Sequence, residues 1–349
     1  MEEWAAMGDL HEGIPIGNGG LCQQIHDAPD VYLIRVPYPN ITTDSTNCYA
    51  FCDEGECLVV DTGAPSEEGL AVFSEALKLI GATPERTSFF LTHLHKDHTG
   101  LVKRVVPSER PLYIGKRDFQ LNEERAAPGF KKRIFDRFVA EGIPEEEASV
   151  YASFEDHEGK EHFEGKSVRL VEPGNAIRVG GYTLRVVDTA GHTSGHLSLY
   201  EPKCGLFFGG DHILFVVSPV LELHPSASGV MDSYLRTLRA VADMDISLLC
   251  HSHGPLLPEW RERTLHLIRH HEKRLAEVKG YVGEHPGITG EQVVKSIKFS
   301  VDTSDWMAVN PALRWCIVSE SFVILDCLVE RGEIVRRIDE RGLFRYYSA

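Results

Sequence analysis

The chain has 349 residues, 42% of them hydrophobic and 25% charged, with a formal net charge of -16. That length predicts about two domains, and the apolar content is ample for a sizeable core. No apolar run approaches a membrane span, and the acidic start Met1-Glu2-Glu3-Trp4 lacks the basic and apolar regions of a signal peptide, which predicts a soluble, cytoplasmic protein.

In chain order, residues 1–30 read as an irregular arm, with Gly17, Gly19 and Gly20 marking a loop that no phosphate-binding pattern follows. Residues 31–36 read as a strand. Residues 47–51 and 57–60 read as a hairpin, closed by Asp61-Thr62-Gly63. The eight cysteines include no C-x-x-C pair. Cys48, Cys52 and Cys57 cluster around the turn Asp53-Glu54-Gly55-Glu56, and a cytosolic setting favours reduced thiols there over a hairpin disulfide or redox switch. Leu70, Phe73, Leu77 and Ile80 then fall at helical spacing behind Ser66, a cap residue.

Residues 88–91 form the next strand. It runs into Thr92-His93-Leu94-His95-Lys96-Asp97-His98-Thr99-Gly100, which places three imidazoles and a carboxylate within six positions. A strand that delivers this segment to a sheet edge lets His93 and His95 aim at one point. Asp97 and His98, past the turn, aim at a second point close by. Imidazole and carboxylate without thiolate suit zinc, iron or manganese in a catalytic site rather than a closed structural one. The pattern reads as a two-metal hydrolytic centre; a solvated polar loop rarely gathers four such groups.

A short helix at 101–105 and a strand at 112–114 follow. Residues from about 117 to 165 differ in character: Phe130, Ile134 and Phe138 lie at i, i+4 and i+8, which predicts a helical insertion. Its His157 and His162 read as solvent-exposed. Strands resume at 167–171 and 182–187 and lead into Asp188-Thr189-Ala190-Gly191-His192-Thr193-Ser194-Gly195-His196. Strands at 197–200 and 205–208 run into Gly209-Gly210-Asp211-His212. A helix at 231–244 precedes a strand at 246–250, which ends in His251-Ser252-His253-Gly254-Pro255. Each group of potential ligands thus follows an apolar strand, where loops gather over a sheet edge.

Beyond Pro258 the chain turns helical, at 261–282, 289–298 and 312–331, and closes with a hairpin at 334–338 and 343–347, the pattern of a small winged-helix module. Residues 261–349 carry 14 Lys/Arg against 13 Asp/Glu, leaving 22 against 39 for the catalytic portion. That acidity opposes a polynucleotide substrate, and the near-neutral terminal module suits dimerisation or cleft-building better than nucleic-acid binding.

Together these residues resemble the metallo-beta-lactamase superfamily over nearly the whole chain. The motifs appear in order: Asp61 in Val-Val-Asp-Thr-Gly, His93 to His98, Gly191-His192, Gly210-Asp211 and His253-Gly254-Pro255. Ser218-Pro219, His270-His271 with Arg274, and the terminal module extend the likeness to glyoxalase-II-like hydrolases and the beta-lactamase-like-2 ribonuclease group. The resemblance implies an α/β fold of αββα sandwich type, comprising residues 1–258, with the small domain at 259–349. It also implies two divalent metal ions, zinc first and iron or manganese as alternatives. Carried onto these positions, His93, His95 and His192 hold one ion; Asp97, His98 and His253 hold the other; Asp211 bridges them, and Asp61 orients solvent or a ligand from behind. Two positions depart from the family: Ala190 stands where proline is usual, and Cys250-His251-Ser252-His253 makes His251 a rival to His253. His196 and His212 read as supporting or cleft-lining groups.

The function this implies is hydrolysis by metal-bound hydroxide of a small thioester, ester or lactone, with no serine or cysteine nucleophile. Asp97 serves as a ligand rather than a general base. A metal-dependent endoribonuclease whose winged helix grips RNA is the alternative, and a basic track toward the metals would mark it. A non-catalytic or flavodiiron-type redox protein fits less well, since the terminal module is too small for a flavin domain. A small-molecule substrate and a homodimer complete the expected partners.

Overall fold

A computed structural model describes residues 12–17, 19–38, 43–154, 159–299, 303 and 305–349. Its chain divides into two compact units, each discontinuous. The first comprises residues up to 121, 160–219 and 240–264; the second comprises 122–159, 220–239 and 265–349. The sequence reading cuts the chain once, near residue 258, whereas here the helical insertion groups with the carboxyl-terminal helices.

The first unit is built on two sheets. The larger runs in chain order through β1 (Ile14–Ile16), β2 (Gly20–Asp27), β3 (Asp30–Pro37), β4 (Ser45–Asp53), β5 (Glu56–Val60), β6 (Thr87–Leu91), β7 (Pro111–Gly115) and β8 (Ser167–Val171). Neighbours are antiparallel up to β5 and parallel from β5 to β8. The smaller sheet takes β9 (Ala176–Val179), β10 (Tyr182–Asp188), β11 (Leu197–Glu201), β12 (Leu206–Gly210) and β13 (Leu248–His251), with β12 and β13 parallel. Alternate side chains of both sheets meet in one core: Val31, Leu33, Phe51, Leu58 and Phe90 from the first, Leu184, Val186, Leu199 and Phe208 from the second. The far face of the large sheet buries Ile34, Val59, Phe89 and Leu112 against Phe73 and Ala76 of α1 (Glu67–Leu79) and against Leu101 and Val102. Ser66 caps α1 as expected, its hydroxyl accepting from Gly69 N at 2.9 Å.

Three expectations need correction. Residues 1–30 are not an irregular arm throughout, because β1 and β2 extend the sheet; a register shift between Gln24 and His26 breaks the alternation by which a strand is recognised. Cys52 and Cys57 are not reduced thiols. They are register partners on β4 and β5, Cα atoms 4.3 Å apart, and are joined by a disulfide. His162 is half-buried rather than exposed, one ring nitrogen 2.9 Å from the Thr99 carbonyl oxygen. His157 lies outside the described residues.

In the chain, α2 (Lys96–Thr99) and α3 (Val102–Val105) follow β6, while α4 (Lys116–Ala126) follows β7 and continues into the second unit. The second unit then holds α5 (Phe130–Ala140) and α6 (Glu145–Ser153), most of α7 (Val230–Ala242) and α8 (Trp260–Glu284), and all of α9 (Gly290–Ser296), α10 (Pro311–Glu330) and the hairpin β14 (Ile334–Ile338) with β15 (Phe344–Ser348). The α5 stripe Phe130, Ile134 and Phe138 is buried, and the Phe138 ring lies 6.0 Å from Phe322 of α10. Buried Glu141 accepts from Tyr346 Oη at 2.7 Å and pairs with Arg137 at 2.7 Å, so its charge is met on two sides. Ile288, ahead of α9, forms a lone bridge to Tyr346.

Candidate metal centre

The predicted ligand groups follow the carboxyl ends of β5, β6, β10, β12 and β13. β5 stops at Val60, and Asp61 turns with φ +60°, a conformation that Asp tolerates better than most residues. The chain then runs beside the histidine motif: Asp61 N donates to Phe90 O at 2.8 Å, and Thr62 N donates to His98 O at 2.7 Å. β6 delivers His93 and His95, and α2 carries Asp97 and His98. The loop after β10 brings His192, the loop after β12 brings Asp211, and the loop after β13 brings His253.

These side chains converge in two adjoining sets. His93, His95 and His192 form the first, with His93 Nε2 3.1 Å from His95 Nδ1 and His95 Nδ1 2.8 Å from His192 Nε2. Asp97, His98 and His253 form the second; His253 Nε2 lies 3.4 Å and His98 Nε2 3.7 Å from Asp97 Oδ2. Asp211 lies between. Its Oδ2 is 3.4 Å from His192 Nε2, while its Oδ1 is 3.5 Å from His98 Nε2 and 3.4 Å from His253 Nε2. All the predicted residues are brought together. His251 is not: its ring packs 5.2 Å from Phe215, and its carbonyl oxygen accepts from Tyr49 Oη at 2.6 Å.

The opposite nitrogen of three of these imidazoles is anchored, as ligand histidines require. His93 Nδ1 lies 3.0 Å from Thr92 Oγ1, whose hydroxyl donates to Asp61 Oδ2 at 2.8 Å. His98 Nδ1 donates to the same carboxylate at 2.8 Å, and His253 Nδ1 donates to Ser45 O at 2.9 Å. Asp61 therefore grips two imidazoles, that of His98 directly and that of His93 through Thr92. His196 plays the supporting part expected of it, its Nε2 accepting the Asp211 N–H at 3.1 Å and its Nδ1 2.8 Å from Thr189 Oγ1. Gly210 makes this approach possible: at φ +55°, a Cβ would fall 2.6 Å from His196 Nε2 and 2.8 Å from Thr92 Cβ. His212 is fully buried with its ring 6.3 Å from that of His196, so it does not line a cleft.

Electrostatics divides the sets. Burial, then the neighbouring His98, His95 and His192 rings, hold His93 well below the ordinary histidine value and therefore neutral. Burial also works against a charged His98, but Asp211, Asp97 and Asp61 overcome it and raise its pKa well above the usual range. For His253 burial is again outweighed, by Asp211 and Asp97, and its pKa rises to about 10. Asp97 and Asp211 are held below the usual carboxylate range by those two rings despite burial. The residues fit a metal on two counts. His98 Nε2 and Asp211 Oδ1 are buried with no hydrogen-bond partner, and the acidic set holds protons where divalent cations would displace them.

The family model for the metallo-beta-lactamase superfamily matches residues 41–253, from the β4 approach to the final histidine. The chain belongs to the metallo-beta-lactamase superfamily. A beta-lactamase-like protein 2 homologue of Caenorhabditis elegans is 26% identical over 279 residues, 79% of this chain and 78% of the relative. An atrochrysone carboxyl ACP thioesterase of Aspergillus fumigatus is 24% identical over 219 residues, 63% of this chain but 40% of the relative. Among solved structures, a metallo-beta-lactamase family protein of Thermus thermophilus superposes with a TM-score of 0.70 at 21% identity, covering 91% of this chain and 98% of its own. A beta-lactamase domain protein of Burkholderia ambifaria gives 0.68 at 23% identity, covering 97% and 95%. These two likenesses establish the superfamily fold. Among the described residues, no helix is long and apolar enough to cross a membrane.

Several supporting residues escape a reading by motif. Asn47 Nδ2 donates to Gly254 O at 2.8 Å, its backbone N–H donates to Ser252 O at 2.7 Å, and with Tyr49 it pins the His253 loop to β4. Asp118, fully buried in the first turn of α4, accepts from Thr193 Oγ1 with both oxygens at 2.9 Å and so anchors the His192 loop. A Cβ on Gly195 would lie 2.3 Å from Asp118 N, which shows how closely that loop rests on the helix. Each is one polar residue amid an ordinary strand or helix pattern, and only its distant partner gives it meaning.

Proposed function

We propose that the chain is a binuclear metal-dependent hydrolase of a small thioester, ester or lactone. The observation that carries this reading is the placement of Asp211, one carboxylate oxygen toward His192 and the other toward His98 and His253. His93, His95 and His192 would hold one divalent ion and Asp97, His98 and His253 the other, with Asp211 shared; imidazole and carboxylate donors suit zinc, iron or manganese. Bound as a pair, such ions bring the pKa of water toward neutrality and polarise a substrate carbonyl.

The chain's own groups supply the orientation. Asp61 and Thr92 fix the rings of His93 and His98, and Ser45 O fixes that of His253. The Asp97 side chain, 24% accessible, is more open than that of Asp211 at 9% and would serve as the solvent-side ligand of the acidic set. Asn47 and Tyr49 keep the His253 loop from drifting, so the donors stay preorganised. A thioesterase among the named relatives and the acidity of the catalytic portion support an acyl substrate over a polynucleotide. The terminal helices and hairpin, read as a winged-helix-like module, then serve a purpose other than gripping RNA.

The test is a panel of thioesters, esters, lactones and single-stranded RNA, assayed with the purified protein and with its His93→Ala variant. Thioester, ester or lactone turnover that His93→Ala abolishes supports the proposal. Cleavage of RNA alone, or turnover indifferent to His93→Ala, overturns it.

A further inference from the structure

Outside the main centre, the second unit gathers another set of donors. His270 and His271 lie on α8 and Glu320 lies on α10, with one donor atom from each within 4.8 Å of the others. We propose that these three residues form a separate site for a divalent cation of zinc, cobalt or nickel character.

Consecutive residues of a helix point roughly 100° apart, so two neighbouring histidines seldom share a target. Here the rings meet edge to face, centroids 5.1 Å apart, and His271 Nδ1 reaches to 3.6 Å from Glu320 Oε1. That spacing is close to the separation of two donors on one tetrahedral ion with bonds of roughly 2.0–2.1 Å. His271 is fully buried, and the Tyr234 ring of α7, 5.4 Å away and edge-on, fixes its plane. His270 is half-buried. His266, one turn earlier and exposed, stacks 6.4 Å from it on the solvent side.

One cation, Arg274, bears on Glu320 and opposes the rise in its pKa that burial causes, but it also has other partners. Arg274, one turn beyond His270, donates to Lys298 O, pairs with Glu277 at 3.3 Å and lies 5.1 Å over the Phe299 ring. Two imidazoles and a carboxylate form a donor set that borderline divalent ions favour, with an open position left for water. An ion there would tie α8 to α10 within the second unit.

The test is metal content. Full-length protein is stripped with a chelator, reloaded with Zn2+, dialysed and analysed for bound zinc. Glu320→Gln and His270→Ala are each expected to hold one equivalent fewer than the unsubstituted protein, to leave hydrolysis at the main centre unaltered, and to lose part of the melting-temperature rise that Zn2+ confers. Co2+ should give visible absorption of which both variants lose the part that Asp211→Ala, which strikes only the main centre, retains. Equal zinc content in the unsubstituted protein and the variants overturns the proposal. His270 is half-buried, so its variant decides the outcome if Glu320→Gln fails to fold.

Discussion

On one side of Asp211, three imidazoles face one another, and burial keeps His93 uncharged. On the other side, His98 and His253 stand among carboxylates that hold them protonated far above the usual range. The loops that build the two sides follow the same rule, a donor at the end of a strand, yet they produce opposite electrostatic demands. On the imidazole side His93 is ready for a cation as it stands. The acidic side must first release protons, so its affinity depends on pH. Asp61 joins the two, gripping His98 directly and His93 through Thr92.

Removing what the two sides share should have the largest effect. Asp211→Ala is expected to lower metal affinity at this centre and hydrolysis by more than about 100-fold, beyond the range usual for groups that merely support a ligand; loss of one of this centre's ions with activity retained would break the pairing. Asp61→Asn should cost roughly 10–100-fold in metal affinity or turnover. Asparagine accepts the positive φ, so the defect would come from the weakened grip on His98 and Thr92 rather than from backbone strain. Competitive chelator titration and steady-state assays measure both.

The pH dependence sharpens the contrast. The folded-state pKa of His253 is raised from 6.5 to about 10, so in metal-free protein its contribution to stability is complete below 6.5 and is lost as pH rises through about 10. Metal binding runs the other way. Affinity on the acidic side should rise with pH toward 10, roughly tenfold per unit for each proton displaced, while His93 already presents its lone pair at neutral pH. Equal pH slopes for the two ions would remove the distinction. The smallest expected effect is local: Asp118→Ala frees Thr193 and should weaken binding on the imidazole side by about tenfold, sparing the acidic side.

The same contrast explains what could be read in the sequence. His93 to His98 announce themselves because four donors crowd into six positions, and β6 is a plain apolar run. His192, Asp211 and His253 are visible because each follows a strand and stands beside glycine. The helical insertion is legible from the i, i+4, i+8 spacing of Phe130, Ile134 and Phe138. β2 is not, because a bulge at Gln24 and His26 interrupts its alternation, and four-residue β9 is too short to stand out. The Cys52–Cys57 bond follows from cross-strand register, a pairing that cysteine count and compartment do not encode. Asn47, Tyr49 and Asp118 act across 75 or more residues, so no local pattern marks them.

Anomalous diffraction from zinc- or manganese-loaded crystals tests the shared-carboxylate centre most directly. At this centre two peaks roughly 3.5–4 Å apart are predicted, one against His93, His95 and His192, the other against Asp97, His98 and His253, with Asp211 between them. A single peak at this centre, or two that do not share Asp211, would contradict a paired-ion centre.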